Sequence, residues 1–239
     1  MKETQLSFQR YEKKYLMTAG QYEALWAELC PRLVPDEYFS STVCSMYYDT
    51  DDYSLIRHSI QKPVYKEKLR LRSYGVPDGK KGVFVELKKK FKGIVYKRRI
   101  ELPIEQAVDW LSGGPAPDDS QISHEIDWVL QRYSLSPKIL ICCDREAWVD
   151  RENPDLRFTF DKNIRYREDE LDLSLGSQGR LLLDEGSVLM EIKMPETSPL
   201  WLAELLSRHK VFPAGFSKYG KSYEQKLMEN YFSGVMEFV

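Results

Sequence analysis

Basic residues occupy every second position between Lys66 and Arg72, with Lys68 and Arg70 completing the set. Side chains along a β-strand point alternately to opposite faces, so these four residues would share one face and the intervening leucines would lie on the other. Lysine and arginine are the side chains that most often grip phosphoryl oxygens. The spacing therefore predicts a strand with one basic face that can bind phosphate.

Similar alternation of charge appears in other predicted strands. The sets that would share a face are Arg10, Glu12 and Lys14; Glu86, Lys88 and Lys90; Lys97, Arg99 and Glu101; Arg157, Thr159 and Asp161; and Glu191 with Lys193. For any single strand, the solvated outer face of an ordinary sheet is the better explanation of the pattern. The pattern recurs in several strands and most of the charges are positive, which favours charged faces that line a common lumen. Such a lumen needs a polyanion and a metal to fill it, because confined like charges repel.

Two further lysines, Lys218 and Lys221, lie three residues apart at the start of a predicted C-terminal helix. This spacing places both on one helix face, next to backbone amides that also attract anions. A pair of ordinary surface lysines is the alternative reading.

These residues must be positioned by a chain that is rich in strand signals. Strands are predicted at residues 7–16, 43–48, 66–74, 83–90, 94–102, 138–149, 156–161, 164–167 and 188–194, and helices at 18–33, 103–111, 121–133, 198–211 and 219–232. Asp49 and Asp51 are expected to be turn residues at a strand end. Many short strands with hairpin-length connections predict an α+β fold, a closed antiparallel β-barrel with flanking helices. No composition shift marks a boundary, so residues 1–239 are expected to form a single domain.

The overall charge excludes some classes of protein. The 239 residues contain 35 Lys and Arg against 37 Asp and Glu, a net charge of −2, whereas nucleic-acid-binding domains usually carry a positive excess. No apolar run is long enough to span a bilayer, and the first ten residues lack the apolar core of a signal peptide. A cytoplasmic protein that does not bind nucleic acid is expected.

In these motifs and in their order, the chain resembles the VTC (vacuolar transporter chaperone) domain, the polyphosphate polymerase domain of the triphosphate tunnel metalloenzyme superfamily. The resemblance runs through RYEKKY, SMYYDT, EKLRLRSYG, VFVELKKK, YKRRIEL, CDREAW, LRFTFD, LMEIKM and FSKYGKSYEQK. One departure is that hydrolase and cyclase branches of the superfamily begin with an ExExK motif, where this chain has Arg10, Glu12 and Lys14. The loss of a carboxylate favours the polymerase branch.

The resemblance implies a role for each charged residue. Carried over by position, the catalytic residues would be Arg70, Arg72, Lys88, Arg145 and Arg157. Further phosphate contacts would come from Lys14, Lys97, Arg99, Lys193, Lys218 and Lys221, with Lys97 and Arg99 competing for one role. Glu191 would hold the metal, Mn²⁺ or Mg²⁺, with Glu86 and Glu12 as helpers.

The implied reaction transfers the γ-phosphoryl group of ATP to a growing polyphosphate chain. Three scattered histidines fit this chemistry, because a phosphate terminus is already an anionic nucleophile and needs no dedicated base. Two alternatives stay open: hydrolysis of tripolyphosphate or a nucleoside triphosphate, and non-catalytic binding of polyphosphate. The chain carries no membrane segment of its own, which leaves a role for a separately encoded membrane partner.

Overall fold

The predicted alternation of side chains is present in the computed structural model of the chain, which describes residues 11–79, 81–92, 94–194 and 197–236. In the strand Tyr65–Tyr74, every second residue from Glu67 to Ser73 is buried, whereas the basic residues between them are partly exposed. Arg10 and the rest of the predicted strand segment 7–10 lie outside the described residues.

The described residues form strands and helices in mixed order. The strands are β1 (Tyr11–Met17), β2 (Leu33–Asp49), β3 (Tyr65–Tyr74), β4 (Val83–Phe91), β5 (Ile94–Leu102), β6 (Ser136–Asp150), β7 (Arg157–Arg167), β8 (Arg180–Leu181) and β9 (Val188–Met194). The helices are α1 (Ala19–Leu29), α2 (Ser54–Ile60), α3 (Ile104–Leu111), α4 (Gln121–Arg132), α5 (Leu200–Arg208) and α6 (Lys218–Met236), with 3₁₀ turns at Cys30–Arg32 and Leu173–Leu175. Within these ranges, no helix is both long enough and apolar enough to cross a membrane.

The strands form one sheet in the order β1-β9-β7-β6-β2-β3-β4-β5, with β8 pairing β7 at the side. The pairs whose register is known are antiparallel, which agrees with the predicted α+β class. The predicted closed barrel is wrong, because among the described residues β1 and β5 are the terminal strands of an open sheet. Both carry exposed lysines, the side chains that typically discourage further pairing at a sheet edge.

The chain divides into two compact units. The first comprises the residues up to Ser41 with Cys143–Ile164 and Leu183–Phe216. Its core packs apolar residues of β1, β7 and β9 against α1 and α5, including Phe158, Phe160, Met190 and Leu202. Helix α1 begins at the capping box of Thr18 and Gln21 that satisfies its first backbone amides. This unit therefore presents the polar faces of β1, β9 and β7 on the side away from its core.

The second unit comprises Thr42–Cys142, Arg165–Leu182 and the residues from Ser217 onwards. Its core gathers the buried face of β3 and β4, which includes Leu69, Leu71, Val85 and Leu87, against α3 and α4. Because these residues hold one face of the strands in the core, the alternating charged residues must lie on the other face. The prediction of a single domain over residues 1–239 remains a prediction.

Candidate functional site

The charged face of β3, β4 and β5 carries three cross-strand rows of residues in the second unit. Antiparallel register places these rows as Arg72–Phe84–Glu101, Arg70–Glu86–Arg99 and Lys68–Lys88–Lys97. Successive rows along a strand are about 7 Å apart, since each residue rises by roughly 3.4 Å. The predicted Arg70, Arg72, Lys88, Lys97, Arg99 and Glu86 are thus brought together on one surface.

Glu86 is the buried acceptor at the centre of this surface, with only 1% of its side chain exposed. Arg70 donates from Nε to Glu86 Oε2 at 2.7 Å, and Arg72 Nε lies 3.7 Å from the same oxygen. The other oxygen, Oε1, forms an ion pair with Lys97 Nζ at 2.5 Å. Burial alone would raise the pKa of Glu86, but Arg70, Arg72 and Lys97 together lower it to about 2. Glu86 therefore stays ionised and fixes three cations in place.

The first prediction concerns the pH dependence of folding stability. Because the pKa of Glu86 falls from 4.5 to about 2 on folding, the ionised carboxylate contributes stability in full above pH 4.5 and loses it as the pH falls to about 2. The shift corresponds to about 3 kcal/mol of unfolding free energy. The stability advantage of wild type over Glu86→Gln should therefore shrink across this window in urea unfolding. A difference that does not change with pH would contradict the assignment.

Tyr47 on β2 lies directly opposite Arg70 and extends this surface. Its hydroxyl accepts a hydrogen bond from Arg70 Nη1 at 3.1 Å, and its ring stacks on Tyr219 of α6 with centroids 4.8 Å apart. Burial raises the pKa of Tyr47, but the charges of Arg70, Arg72 and Lys68 outweigh it and lower the pKa to about 7. The lowered pKa of Tyr47 therefore reports the positive charge of this surface. Tyr47 was not among the site residues predicted from the sequence, although alternation within SMYYDT places it on the other face of the strand from Tyr48, which lies in the core.

The second prediction follows from this phenol. One tyrosine should ionise near pH 7 in an ultraviolet titration of the folded protein, and Tyr47→Phe should remove that transition. Added tripolyphosphate should raise the pKa of Tyr47, because a bound anion offsets the positive charge that favours the phenolate. The result that would contradict this account is a titration in which no tyrosine ionises near pH 7.

Asp49 is a structural anchor beneath the stacked tyrosines. It is fully buried and accepts hydrogen bonds from the backbone amides of Leu55 and Ile56 at the start of α2, at 2.9 and 3.0 Å. Tyr219 donates its hydroxyl proton to Asp49 Oδ2 at 2.8 Å. The expected turn residue therefore also ties β2 to α2 and α6, and it holds Tyr219 against Tyr47.

The start of α6 lies beside the lysine row of the second unit. Lys68 Nζ donates to Ser217 Oγ at 3.0 Å, and Ser217 precedes Lys218, the first residue of α6. The carbonyl of Ser217 accepts from the amide of Lys221 at 2.8 Å, which sets the first helical turn. Both predicted lysines of α6 are half-buried. The structure thus brings the start of α6 to the edge of the cross-strand rows.

A separate charged cluster lies in the first unit. Antiparallel register places Lys14 opposite Glu191 and Glu12 opposite Lys193, with Arg157 on the far side of Lys193. Lys14 Nζ is 3.7 Å from Glu12 Oε1 and 3.8 Å from Glu191 Oε2, and Lys193 Nζ is 3.2 Å from Glu191 Oε1. All five of these predicted residues are therefore neighbours on the polar face of β1, β9 and β7.

Arg145 on β6 is held by a buried carboxylate. Its Nε and Nη2 donate to the two oxygens of Asp161 at 2.6 and 2.8 Å, and Asp161 is almost completely buried. Burial alone would lower the pKa of Arg145, but the charge and hydrogen bonds of Asp161 raise it above its usual value. Arg157 is more loosely held, 3.6 Å from Asp36. Asp161 was recognised as a charged residue on its strand, but only the hydrogen bonds in the structure show that it orients Arg145.

The carboxylates of the first unit fit a hard divalent cation better than those of the second. Among the described residues there is no cluster of three or more His, Cys, Asp and Glu that could hold a metal by itself. Magnesium-type sites often use only one or two carboxylates, with water and substrate phosphates completing the shell. Glu12 and Glu191, which share Lys14, provide such a donor pair. Glu86 is instead surrounded by protein cations, which leaves it poorly placed to bind a metal.

The family model for the VTC domain matches residues 9–227, nearly the whole chain. No protein of curated function matches in sequence. A candidate adenylate cyclase from Bacillus halodurans has a similar structure, with 15% identity and a TM-score of 0.55 over 86% of this chain and 92% of that one. This similarity shows a shared fold.

A second solved structure is similar at a lower level. It is a candidate adenylyl cyclase from Hippeastrum, described as having a dominant triphosphatase activity. It is 16% identical, with a TM-score of 0.48 over 87% of this chain and 92% of that one.

Proposed function

The chain belongs to the VTC domain family, and on that premise we propose that it is a metal-dependent phosphotransferase that extends inorganic polyphosphate with the γ-phosphoryl group of ATP. The substrates would be ATP and a polyphosphate or triphosphate chain, and the products would be ADP and a chain longer by one phosphate. Nucleic acid is not part of this proposal. Any partner in the membrane would be a separate protein.

The observation that carries the proposal is the charge of the three rows in the second unit. They hold six basic residues and two acidic ones, Lys68, Arg70, Arg72, Lys88, Lys97 and Arg99 against Glu86 and Glu101. Lys88 is directly opposite both Lys68 and Lys97, and like charges in this relation destabilise a sheet. A linear polyanion would remove this repulsion. Three rows spaced by about 7 Å span about 14 Å, so an anion that contacts all of them must be an extended chain rather than a single small anion.

Two arginines of the rows, Arg70 and Arg72, are held in place before substrate binds. Arg70 is held by Glu86 and Tyr47, and Arg72 donates to Ser45 Oγ at 3.1 Å. Catalysis of phosphoryl transfer consists mainly of positioning and charge stabilisation. We assign Arg70 and Arg72, with Lys88, to the transferring phosphoryl group, and the residues Lys97, Arg99, Lys218 and Lys221 to neighbouring phosphates.

The chemical step needs no proton acceptor on the protein. A terminal oxygen of the polyphosphate chain forms a bond to the γ-phosphorus, the bond from that phosphorus to the β–γ bridging oxygen breaks, and ADP leaves with the electron pair. Arginines that are already oriented lose little entropy when they stabilise the charge that builds up on these oxygens. In the first unit, Arg145 has the same fixed character because Asp161 holds two of its three nitrogens, Nε and Nη2.

Glu191, with Glu12 as helper, is assigned to bind Mn²⁺ or Mg²⁺. When bound, such an ion neutralises phosphate charge and favours departure of ADP. Lys14 and Lys193 already balance these carboxylates, and we assign both lysines, with Arg157, to phosphate. These five residues of the first unit are proposed to act as one group.

The experiment that tests the proposed function measures three products in one reaction. Purified protein is incubated with ATP and Mn²⁺, and ADP, orthophosphate and polyphosphate are determined separately. The proposal expects polyphosphate to increase in step with ADP. Orthophosphate without polymer would identify a hydrolase, and tight polyphosphate binding without any product would identify a binding protein. Either of these two results would overturn the proposal.

A further inference from the structure

The turn end of the β4–β5 hairpin exposes an unusual number of apolar side chains in the second unit. We call residues 89–92 and 94–96, with the adjoining segment 62–66 at the start of β3, the hairpin tip. Its exposed apolar residues are Val64, Tyr65, Phe91, Ile94, Val95 and Tyr96, each with 40–64% of its surface accessible. Register holds the tip together, because Phe91 pairs with both Tyr65 and Ile94. Tyr65, Phe91 and Ile94 form one cross-strand row, and contiguous exposed apolar groups usually mark an interaction surface.

The same tip is strongly basic. It carries Lys62, Lys66, Lys89, Lys90 and Lys92. Lys66 is directly opposite Lys90, and burial together with the charges of Lys90 and Lys62 lowers the pKa of Lys66. The described residues of the tip include no carboxylate. Two acids outside the tip contact it: Glu67 accepts a hydrogen bond from Tyr65, and Glu125 accepts one from Lys89. The tip therefore combines exposed apolar groups with concentrated positive charge.

This combination distinguishes between the surfaces that could cover the tip. A soluble polyanion such as polyphosphate would satisfy the lysines but would leave the apolar side chains in water. An uncharged apolar partner would add no counter-charge for Lys62, Lys66, Lys90 and Lys92; Lys89 is already paired with Glu125. An anionic lipid surface satisfies both, because apolar side chains enter the interface while lysines remain at the level of the headgroups.

We propose that the hairpin tip docks this protein onto anionic lipid membranes, with Phe91 and Val95 entering the interface and the lysines contacting lipid phosphates. This inference does not rest on the proposed catalytic function. Strands β3 and β4 carry both the tip and the cross-strand rows, and the Lys66–Lys90 pair lies next to the Lys68–Lys88 pair. Docking through the tip would therefore place the Lys68–Lys88–Lys97 row nearer to the lipid than the other two rows.

The test is sedimentation of the full chain with two kinds of lipid vesicle. Vesicles of phosphatidylcholine alone should bind little protein, and vesicles that also contain phosphatidylglycerol should bind it in a manner that weakens with added salt. Phe91→Ser combined with Val95→Ser should weaken binding about tenfold, through the loss of buried apolar surface. Lys62→Glu combined with Lys92→Glu should weaken it by about tenfold or more.

Matched variants separate docking from general effects of charge and hydrophobicity. Lys13→Glu with Lys81→Glu makes the same charge change at exposed positions outside the tip, and Leu200→Ser with Phe212→Ser removes exposed apolar side chains of the first unit. Both controls should bind anionic vesicles like wild type. All four double variants should bind tripolyphosphate with unchanged affinity, which shows that they fold.

Three results would overturn the proposal. One is equal binding of wild type to neutral and anionic vesicles. Another is unchanged vesicle binding by the Phe91→Ser, Val95→Ser variant, which would mean that the protein binds vesicles through charge alone and that no apolar side chain of the tip enters the lipid. The third is absence of vesicle binding together with loss of long-chain polyphosphate affinity in the Lys62→Glu, Lys92→Glu variant, which would make the tip a polymer contact.

Discussion

Alanine in place of Arg70 is expected to lower kcat/KM for ATP by a factor of about 10² to 10³, the usual cost of removing one fixed donor to developing negative charge. Arg70 is held by a charge-assisted hydrogen bond to Glu86 at 2.7 Å and by Tyr47 at 3.1 Å, so its guanidinium is oriented before substrate arrives. Steady-state rates of ADP release with a polyphosphate primer measure the effect. Arg70→Lys should recover only part of the loss, since an ammonium cannot reproduce the forked geometry of the guanidinium.

Arg98 provides the matched control for Arg70. It lies on β5 but on the opposite face from Arg99, and it pairs with Glu125 at 3.3 Å. Arg98→Ala removes an arginine from the same sheet and should leave kcat/KM within about twofold of wild type, as expected for a group that does not touch substrate. Equal losses in the Arg70 and Arg98 variants would show that the rate depends on net charge and would contradict the assignment of the rows.

The second large effect is expected for Glu191→Gln, which should lower kcat by a factor of about 10² to 10³ while tripolyphosphate binding without metal stays the same or tightens. The amide keeps the shape of the side chain but loses the charge that we assign to the metal. It also releases Lys14 and Lys193 from their acidic neighbour, which leaves more positive charge for phosphate. Turnover at several Mn²⁺ concentrations and calorimetric binding of tripolyphosphate provide the two measurements.

Glu185 offers a control of the same residue type in the same unit. It is exposed in the turn that precedes β9, away from the lysine pair. Glu185→Gln should keep both turnover and its dependence on Mn²⁺. If Glu191→Gln also keeps the wild-type dependence on Mn²⁺, then the metal is held elsewhere and the role of Glu191 is wrong.

Period-two alternation of charge proved to be a sound guide to the strands and their faces. The bounds of β5 and β9 agree with the sequence prediction, and the basic face of β3 lies opposite buried leucines as expected. This works because a side chain's face in a strand depends only on the parity of its position. Tertiary contacts are not needed to predict it.

Other elements depend on contacts that no local pattern contains. Strand β2 begins at Leu33, ten residues before the predicted start. The prediction began too late because the first half of the strand is largely exposed and contains Pro35, features that suggest a loop. Helix α2 spans only seven residues, too few to show a helical period, and its first amides are satisfied by the buried Asp49. The prediction of a closed barrel was wrong for a related reason, because alternation within a strand does not indicate whether the first and last strands of the sheet pair with each other.

The candidate site, like the fold, could be predicted from the sequence only in part. Residue type and parity identified the basic residues of the rows, but not which carboxylate would be buried among them. That Glu86 joins Arg70, Arg72 and Lys97, and that Tyr47 faces Arg70, follows only from the register between neighbouring strands. Register is set by turns and by packing of the opposite face, which lie outside any single motif.

The destination of the γ-phosphoryl group tests the central claim most directly. The protein is incubated with γ-labelled ATP, Mn²⁺ and an unlabelled polyphosphate primer, and the labelled products are separated by size. The account predicts that label enters chains longer than the primer while ADP accumulates. Label that appears in orthophosphate would indicate hydrolysis, and label in pyrophosphate would indicate cyclase chemistry. Either outcome, in place of labelled polymer, would contradict the proposed function.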